Sequence, residues 1–236
     1  MSKKIEHLRG HYIVCGYGRI GRVLCKNLKR KPIDLIVIEN NQESISILDE
    51  ERVFYVSGDA TDEDTLIQAG IKQAKGLIGV LGTDADNVFL ILTARQLNPD
   101  LFIIARASTQ RTKAKLKAAG ADYVESPYEM GAVSMAQRII RPTVTSFLDL
   151  AFTYKRKDIQ MEEIPISFSS SLSNVTLKDS GVRQNYNLII IAIKKPDGSM
   201  LFNPSFEAVF HGGDTIIAVG EVDNLKRLEK IMNTKD

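Results

Sequence analysis

Residues 11–22 read HYIVCGYGRIGR, an apolar run of strand type followed at once by glycines spaced G-x-G-x-x-G. That order requires a strand, a tight turn and a helix starting directly over the strand end. Gly16 permits the turn, Gly18 lets backbone approach a ligand, and Gly21 lets helix and strand pack closely. Unpaired amides at the helix start, at the positive end of its dipole, form an anion site. Tyr17, Arg19 and Ile20 complete the loop, and Arg19 is placed to add a charge-assisted phosphate contact.

The rhythm that follows is α/β. Apolar strands are predicted at 11–15, 34–38, 53–56, 76–81, 102–106 and 122–125, with helices at 19–30, 42–51, 62–69, 85–97 and 109–118. Strands buried on both faces, alternating with amphipathic helices, give a Rossmann-like doubly wound parallel sheet. Thr61 and Asp62 are placed to cap the third helix, while Gly70 and Gly120 end the third and fifth. Residues 127–154 read as two helices parted at Pro142, with an apolar stripe of Ala132, Met135, Ala136, Ile139 and Ile140. That stripe packs either on its own domain or on a partner. Beyond it, strands at 159–167, 187–194, 199–202 and 214–219, joined by the turns KKPDGSM and FHGGD and closed by a helix near 221–232, give a small α+β domain. The serine-rich stretch 167–174 reads as a mobile connection. The domain boundaries are therefore 1–126, 127–156 and 157–236.

Further candidate ligand residues stand at predicted strand ends. Glu39, at the end of the second strand, is placed to accept from adenosine ribose hydroxyls, with Asn40 beside it. An acid there repels a 2′-phosphate, which favours NAD, ADP, ATP or AMP over NADP. Asp59 is placed to accept from the adenine amino group with Ala60 against the ring, or simply to cap a turn. Thr83 either reaches phosphate or ribose or caps the next helix, with Asp84 as the other cap. Arg106 ends the fifth strand and needs an anion, for which a terminal phosphate and Glu125 of the sixth strand are both candidates.

Composition excludes several classes. Net charge is +2 with acids and bases interspersed, so no nucleic-acid field is expected. The cluster Lys26, Lys29, Arg30 and Lys31 reads as a solvated helix end. Cys15 and Cys25 form no C-x-x-C pair, so neither a disulfide framework nor a zinc site is expected, which fits a reducing compartment. No apolar run approaches the ~18 residues that span a bilayer, and no signal peptide precedes the first strand. His7 and His11 lie at the end of the sheet opposite the glycines, and His211 in a turn, so no catalytic triad is recognisable. Binding without catalysis is the simpler reading, with a soluble NAD-dependent oxidoreductase as the alternative.

The segments KKIEHLRGHYIVCGYGRIGR, VIEN, GDATDEDTL, ARQLNPDLFIIARA and KLKAAGADYVESP resemble the RCK domain, the regulator of potassium conductance. LIIIAIKKPDGSMLFNPSFEAVFHGGDTIIAVGEVDNLKRLEKI is similar to that family's small companion domain. KKIEHLRGH resembles the linker from a preceding pore, which would make Met1 an internal or engineered start. The resemblance implies homodimers through the crossover helices at about 127–154, an octameric ring beneath a potassium channel pore at the cytoplasmic face, and gating by ligands in the N-terminal clefts, for which the site residues above point to NAD or NADH first. A separate subunit of a Trk/Ktr-type transporter is the other arrangement it allows. Calcium-gated members carry acids after the fifth strand. Here Arg106 and Ser108 stand in that stretch, which argues against calcium there. Glu125 matches an acid that, in nucleotide-binding relatives, lies near the dimer seam and can meet an arginine or a divalent cation.

Overall fold

The apolar runs of the first half become one parallel sheet. The computed structural model describes residues 8–30, 32–152 and 159–233. It divides the chain into two units, Met1–Met135 and Ala136–Asp236. His7, Lys31, the start of KKIEHLRGH and residues 153–156 of the crossover segment lie outside the described residues.

The first unit contains β1 (Tyr12–Cys15), α1 (Arg19–Leu28), β2 (Leu35–Glu39), α2 (Gln42–Glu50), β3 (Tyr55–Ser57) and α3 (Glu63–Gln68). It continues with a short 3-10 turn (Ile71–Gln73), β4 (Gly76–Gly79), α4 (Asp84–Leu97), β5 (Phe102–Arg106), α5 (Gln110–Ala118) and β6 (Tyr123–Glu125). All strand pairs are parallel and their order is β3-β2-β1-β4-β5-β6, the doubly wound arrangement expected from the rhythm. Ile13, Cys15, Ile36, Ile38, Leu77 and Ile103 face one core; Val14, Val37 and Ile78 face the other. A strand buried on both faces has no polar side to alternate with, which explains the continuous apolar runs.

One strand starts later than expected. Residues 53–56 read as β3, but Val53 donates to the Leu48 carbonyl and Arg52 has φ 54°, so Val53 closes the turn after α2. Side chains cap four helices in turn: Asn41, Asp62, Thr83 and Thr109 accept from the amides of Ser44, Thr65, Asp86 and Thr112. The N-cap of α1 is Gly18, which offers no side-chain acceptor. Buried His11 donates from Nε2 to the Ala69 carbonyl at 2.9 Å, a structural contact at the sheet end away from the glycines.

Helix α6 (Pro127–Ile140) begins in the first unit and ends in the second. The second unit adds α7 (Pro142–Phe152), β7 (Gln160–Pro165), α8 (Val182–Tyr186), β8 (Ile189–Lys194), β9 (Met200–Phe202), β10 (Thr215–Gly220) and α9 (Val222–Asn233). Its sheet is antiparallel, in the order β7-β10-β8-β9. Helix α8 was not anticipated, since its five residues are too short to show a period. The serine-rich stretch is not a loose connection: Ser170 Oγ donates to the Ile231 carbonyl and Ser173 Oγ accepts from the Gly212 amide. Asp214 is 1% exposed and accepts from Lys195 Nζ at 2.6 Å, joining the two turns FHGGD and KKPDGSM.

A β-carbon at Gly21 would lie 2.1 Å from the Gly16 carbonyl oxygen, whereas one at Gly18 meets nothing within 4 Å. Gly21→Ala is therefore expected to lower the unfolding free energy by about 3 kcal/mol and Gly18→Ala by under ~1 kcal/mol, read from denaturant melts. Burial pushes the thiol pKa of Cys15 well up and that of Cys25 to about 11. Both thiols are expected to be inert to a disulfide reagent at pH about 8 in the folded protein and to react once it is denatured.

Candidate functional site

The strand order reverses between β1 and β4, and there the carboxyl ends of the strands border a cleft of about 960 Å³. Such a crevice is where open α/β sheets bind ligands, and its size is at the upper end of the ~300–1,000 Å³ seen for small-molecule sites. Gly16, Gly18, Arg19 and Ile20 line its floor. Gly16 adopts φ +101°, a conformation that favours glycine, and its amide donates to the Ile38 carbonyl at 2.9 Å. Gly21 contributes by its absence of a side chain, through the contact with Gly16 described above. Tyr17 turns its ring out of the cleft into the core beneath α1, at 1% exposure.

Glu39, Asn40, Asp59 and Ala60 line the cleft on the β2–β3 side. Glu39 is held by three backbone amides. Its Oε2 accepts from the Tyr17 amide at 2.6 Å, and its Oε1 accepts from the amides of Asn40 and Asn41, each at 2.9 Å. A carboxylate has about four acceptor positions, so one remains for a ligand hydroxyl. The acid thereby splints the glycine loop to the turn after β2. Asp59 Oδ1 accepts from the amide and hydroxyl of Thr61, both at 2.8 Å, so it builds its own turn while facing the cleft.

On the β4–β5 side, Val80, Leu81, Gly82, Asp86 and Arg106 line the cleft. Of the two roles open to Thr83, the structure shows the cap: its Oγ1 accepts from the Asp86 amide at 3.1 Å, and it is not among the lining residues. Buried Asn87 holds this loop, accepting from the Leu81 amide and donating to the carbonyls of Leu81 and Thr83. Arg106 stands beside Glu125 in register but hydrogen bonds elsewhere. Its Nη2 donates to the Gly82 carbonyl at 3.3 Å and to Ser108 Oγ at 3.1 Å, and its Nε is buried without a hydrogen-bond partner. Asp84 sits next to this arginine and accepts from the Ser108 amide at 2.9 Å. Partial desolvation works to raise its pKa, but hydrogen bonds from Ser108 and Thr112 and the Arg106 charge outweigh it and hold the carboxyl below its usual range.

Glu125 is exposed and lies outside the cleft lining; among the described residues no group of three or more His, Cys, Asp or Glu side chains is placed to hold a metal ion. His211 pairs its Nδ1 with Asn174 Oδ1 in the second unit. The cleft also has a wall that the sequence did not reveal: Pro127 and Tyr128, the first turn of α6. That helix has no buried residue; Met135, Ile139 and Ile140 are 72%, 85% and 65% exposed. Among the described residues the apolar stripe is therefore exposed.

Residues 12–127 match the family described as the TrkA-N domain, and residues 161–233 match the TrkA-C domain. Probable potassium channel protein 2 of Methanocaldococcus jannaschii is 39% identical over 100% of this chain and 70% of its own length. Ktr system potassium uptake protein C of Bacillus subtilis is 25% identical over 97% of this chain and 100% of its own. Two solved structures of GsuK are each 28% identical: its RCK domain, with TM-score 0.51 over 95% of this chain and 47% of that one, and the channel bound to NAD, with TM-score 0.52 over 96% and 39%. The chain thus spans less than half of the GsuK chains it matches. With the parallel sheet, the glycine turn and the small antiparallel domain in the same order, it belongs to the TrkA-N/TrkA-C family of RCK domains.

Proposed function

We propose that the chain is a ligand-sensing regulatory domain of a potassium channel or transporter, with an adenine nucleotide in the cleft between β1 and β4. The observation that carries this reading is a shared wall: the cleft that exposes the glycine loop is also lined by Pro127 and Tyr128 of α6. A ligand touching both loop and helix acts on the element whose apolar face lies open. NAD or NADH is the first ligand to consider, supported by the NAD-bound GsuK channel, with ADP, ATP and AMP as alternatives. The charge of Glu39 in the cleft disfavours a 2′-phosphate, and the buried Nε of Arg106 favours an anion on the opposite side.

On this reading residues 1–126 bind nucleotide, α6 and α7 within 127–156 pair two copies, and 157–236 form the companion domain. Four such dimers make an octameric ring on the cytoplasmic side of a pore. Ligand shifts the ring only in so far as it binds one shape better than another. A coupling of ~1–3 kcal/mol per site, summed over eight sites, biases a gate heavily. A cation held by Glu125 belongs at the seam between copies, where a partner completes its ligands. Relatives named as potassium channel and uptake proteins favour regulation over an oxidoreductase. The full-length match to Ktr protein C supports a second arrangement, a separate subunit beside its transporter, and the reading frame upstream of Met1 decides between the two.

Calorimetric titration with NAD, NADH, ADP, ATP and AMP is expected to show binding of at least one, and heat from none of them overturns the reading. A side chain at Gly18 meets nothing within 4 Å, so Gly18→Asp is expected to fold normally and lose affinity at least about tenfold, through a carboxylate set against the phosphates. Asp84→Asn is expected to cost about 1 kcal/mol of stability at neutral pH, a modest value because the site is partly solvated. The Asp84 pKa is lowered on folding, so its contribution is full above the ordinary carboxylate pKa and lost as pH falls through the lowered one. The difference between parent and variant in urea melts should therefore be constant from about pH 8 to about 5 and shrink below about 4.

A further inference from the structure

The residue between the first two glycines is held at three atoms. The Tyr17 amide donates to Glu39 at 2.6 Å, its phenol donates to Glu51 Oε2 at 2.9 Å, and its carbonyl accepts from Arg22 Nε at 3.1 Å. The Arg22 guanidinium lies over the Tyr17 ring, 5.8 Å from its centre, and its Nη2 donates to Ser44 Oγ at 3.3 Å. Neither Tyr17 nor Arg22 lines the cleft, while Gly16, Gly18 and Ser44 do.

A trans peptide points its carbonyl and the following N–H in opposite directions. Fixing the Tyr17 carbonyl on Arg22 therefore fixes the direction of the Gly18 N–H. Gly18 has no β-carbon and its neighbourhood is open, so this peptide has little steric resistance to flipping. Flipped, it would show a carbonyl to an incoming phosphate in place of a donor. Glu39 and Glu51 hold Tyr17 from the side of β2 and α2, but neither bonds the carbonyl.

We infer that Arg22 is a positioning residue for anion binding: it touches no ligand, and it keeps the Tyr17–Gly18 peptide with its N–H presented to the cleft. The role rests on the nucleotide reading above. It also separates Arg22 from Arg19, which lines the cleft and, on the nucleotide reading, meets a phosphate directly. Arginine suits the task because its fork reaches the Tyr17 carbonyl and the Ser44 hydroxyl together while its plane covers a ring, which lysine cannot do.

The test compares the parent with Arg22→Met and Arg22→Lys by affinity for NAD and for adenosine, which lacks phosphate, and by thermal midpoint. Arg22→Met is expected to weaken NAD binding about tenfold and adenosine binding less than about twofold, with the midpoint lowered by only about 2–4 °C. Arg22→Lys, with a single ammonium able to reach the carbonyl, should recover part of the loss. Tyr17→Phe, which frees the phenol tether and leaves the carbonyl bond, should have a smaller effect on NAD than Arg22→Met. If Arg22→Met binds NAD like the parent, or loses NAD and adenosine in equal proportion, the positioning role is overturned and the nucleotide reading stands. A parent that binds neither compound overturns both.

Discussion

The close approach of α1 to β1 is the constraint from which the cleft follows. The Gly16 carbonyl oxygen occupies the place where any side chain at position 21 would begin. Only with glycine at 21 does the helix start hard against the end of the central strand, and only with a residue at ease at φ +101° does the chain turn sharply enough to get there. Once that contact is made, the first amides of α1 project over the sheet at the point where strand order reverses. Glu39 then locks the loop from the neighbouring strand, and Asn87 holds the facing loop from the other side. The cleft is the space left between two loops that the protein has fastened independently.

Helix starts across the first unit differ in how their orphan amides are satisfied. In α2, α3, α4 and α5 an Asn, Asp or Thr side chain supplies the acceptor. At α1 the cap is glycine, and no side chain supplies the acceptor. The charges around that helix start are zoned. Glu39 and Asp59 lie on the β2–β3 side, and Arg19 and Arg106 lie at the loop and beyond it. Asp86 on the far side is the exception, and it limits how much negative charge that end welcomes.

The parallel sheet, the glycine turn and the caps at Asp62 and Thr83 were legible in the sequence because each is a local rule. A buried strand writes itself as an apolar run, and a cap must sit within three residues of its amide. What stayed hidden depends on distant partners. Nothing near Glu39 announces that it will accept the amide of a residue 22 positions away. Nothing near Arg106 tells that Gly82 and Ser108, and not Glu125, will take its donors. The role of Tyr128 is invisible for the same reason: a tyrosine in the first turn of a helix becomes a cleft wall only when β6 is laid at the edge of the sheet. Helix α8 escaped on length alone.

On the proposed reading, α6 is where binding becomes movement. Its first turn borders the cleft, and its exposed apolar residues Met135 and Ile139 lie further along the same helix. At ~1.5 Å per residue, the seven steps from Tyr128 to Met135 span about 10 Å, two turns of hydrogen-bonded backbone. On that reading, a ligand that displaces the first turn acts on the helix that also carries Met135. No relay of side chains is needed. What the mechanism does require is that the apolar face has more than one way to pack against a partner, because a single rigid docking would let the nucleotide bind without changing anything.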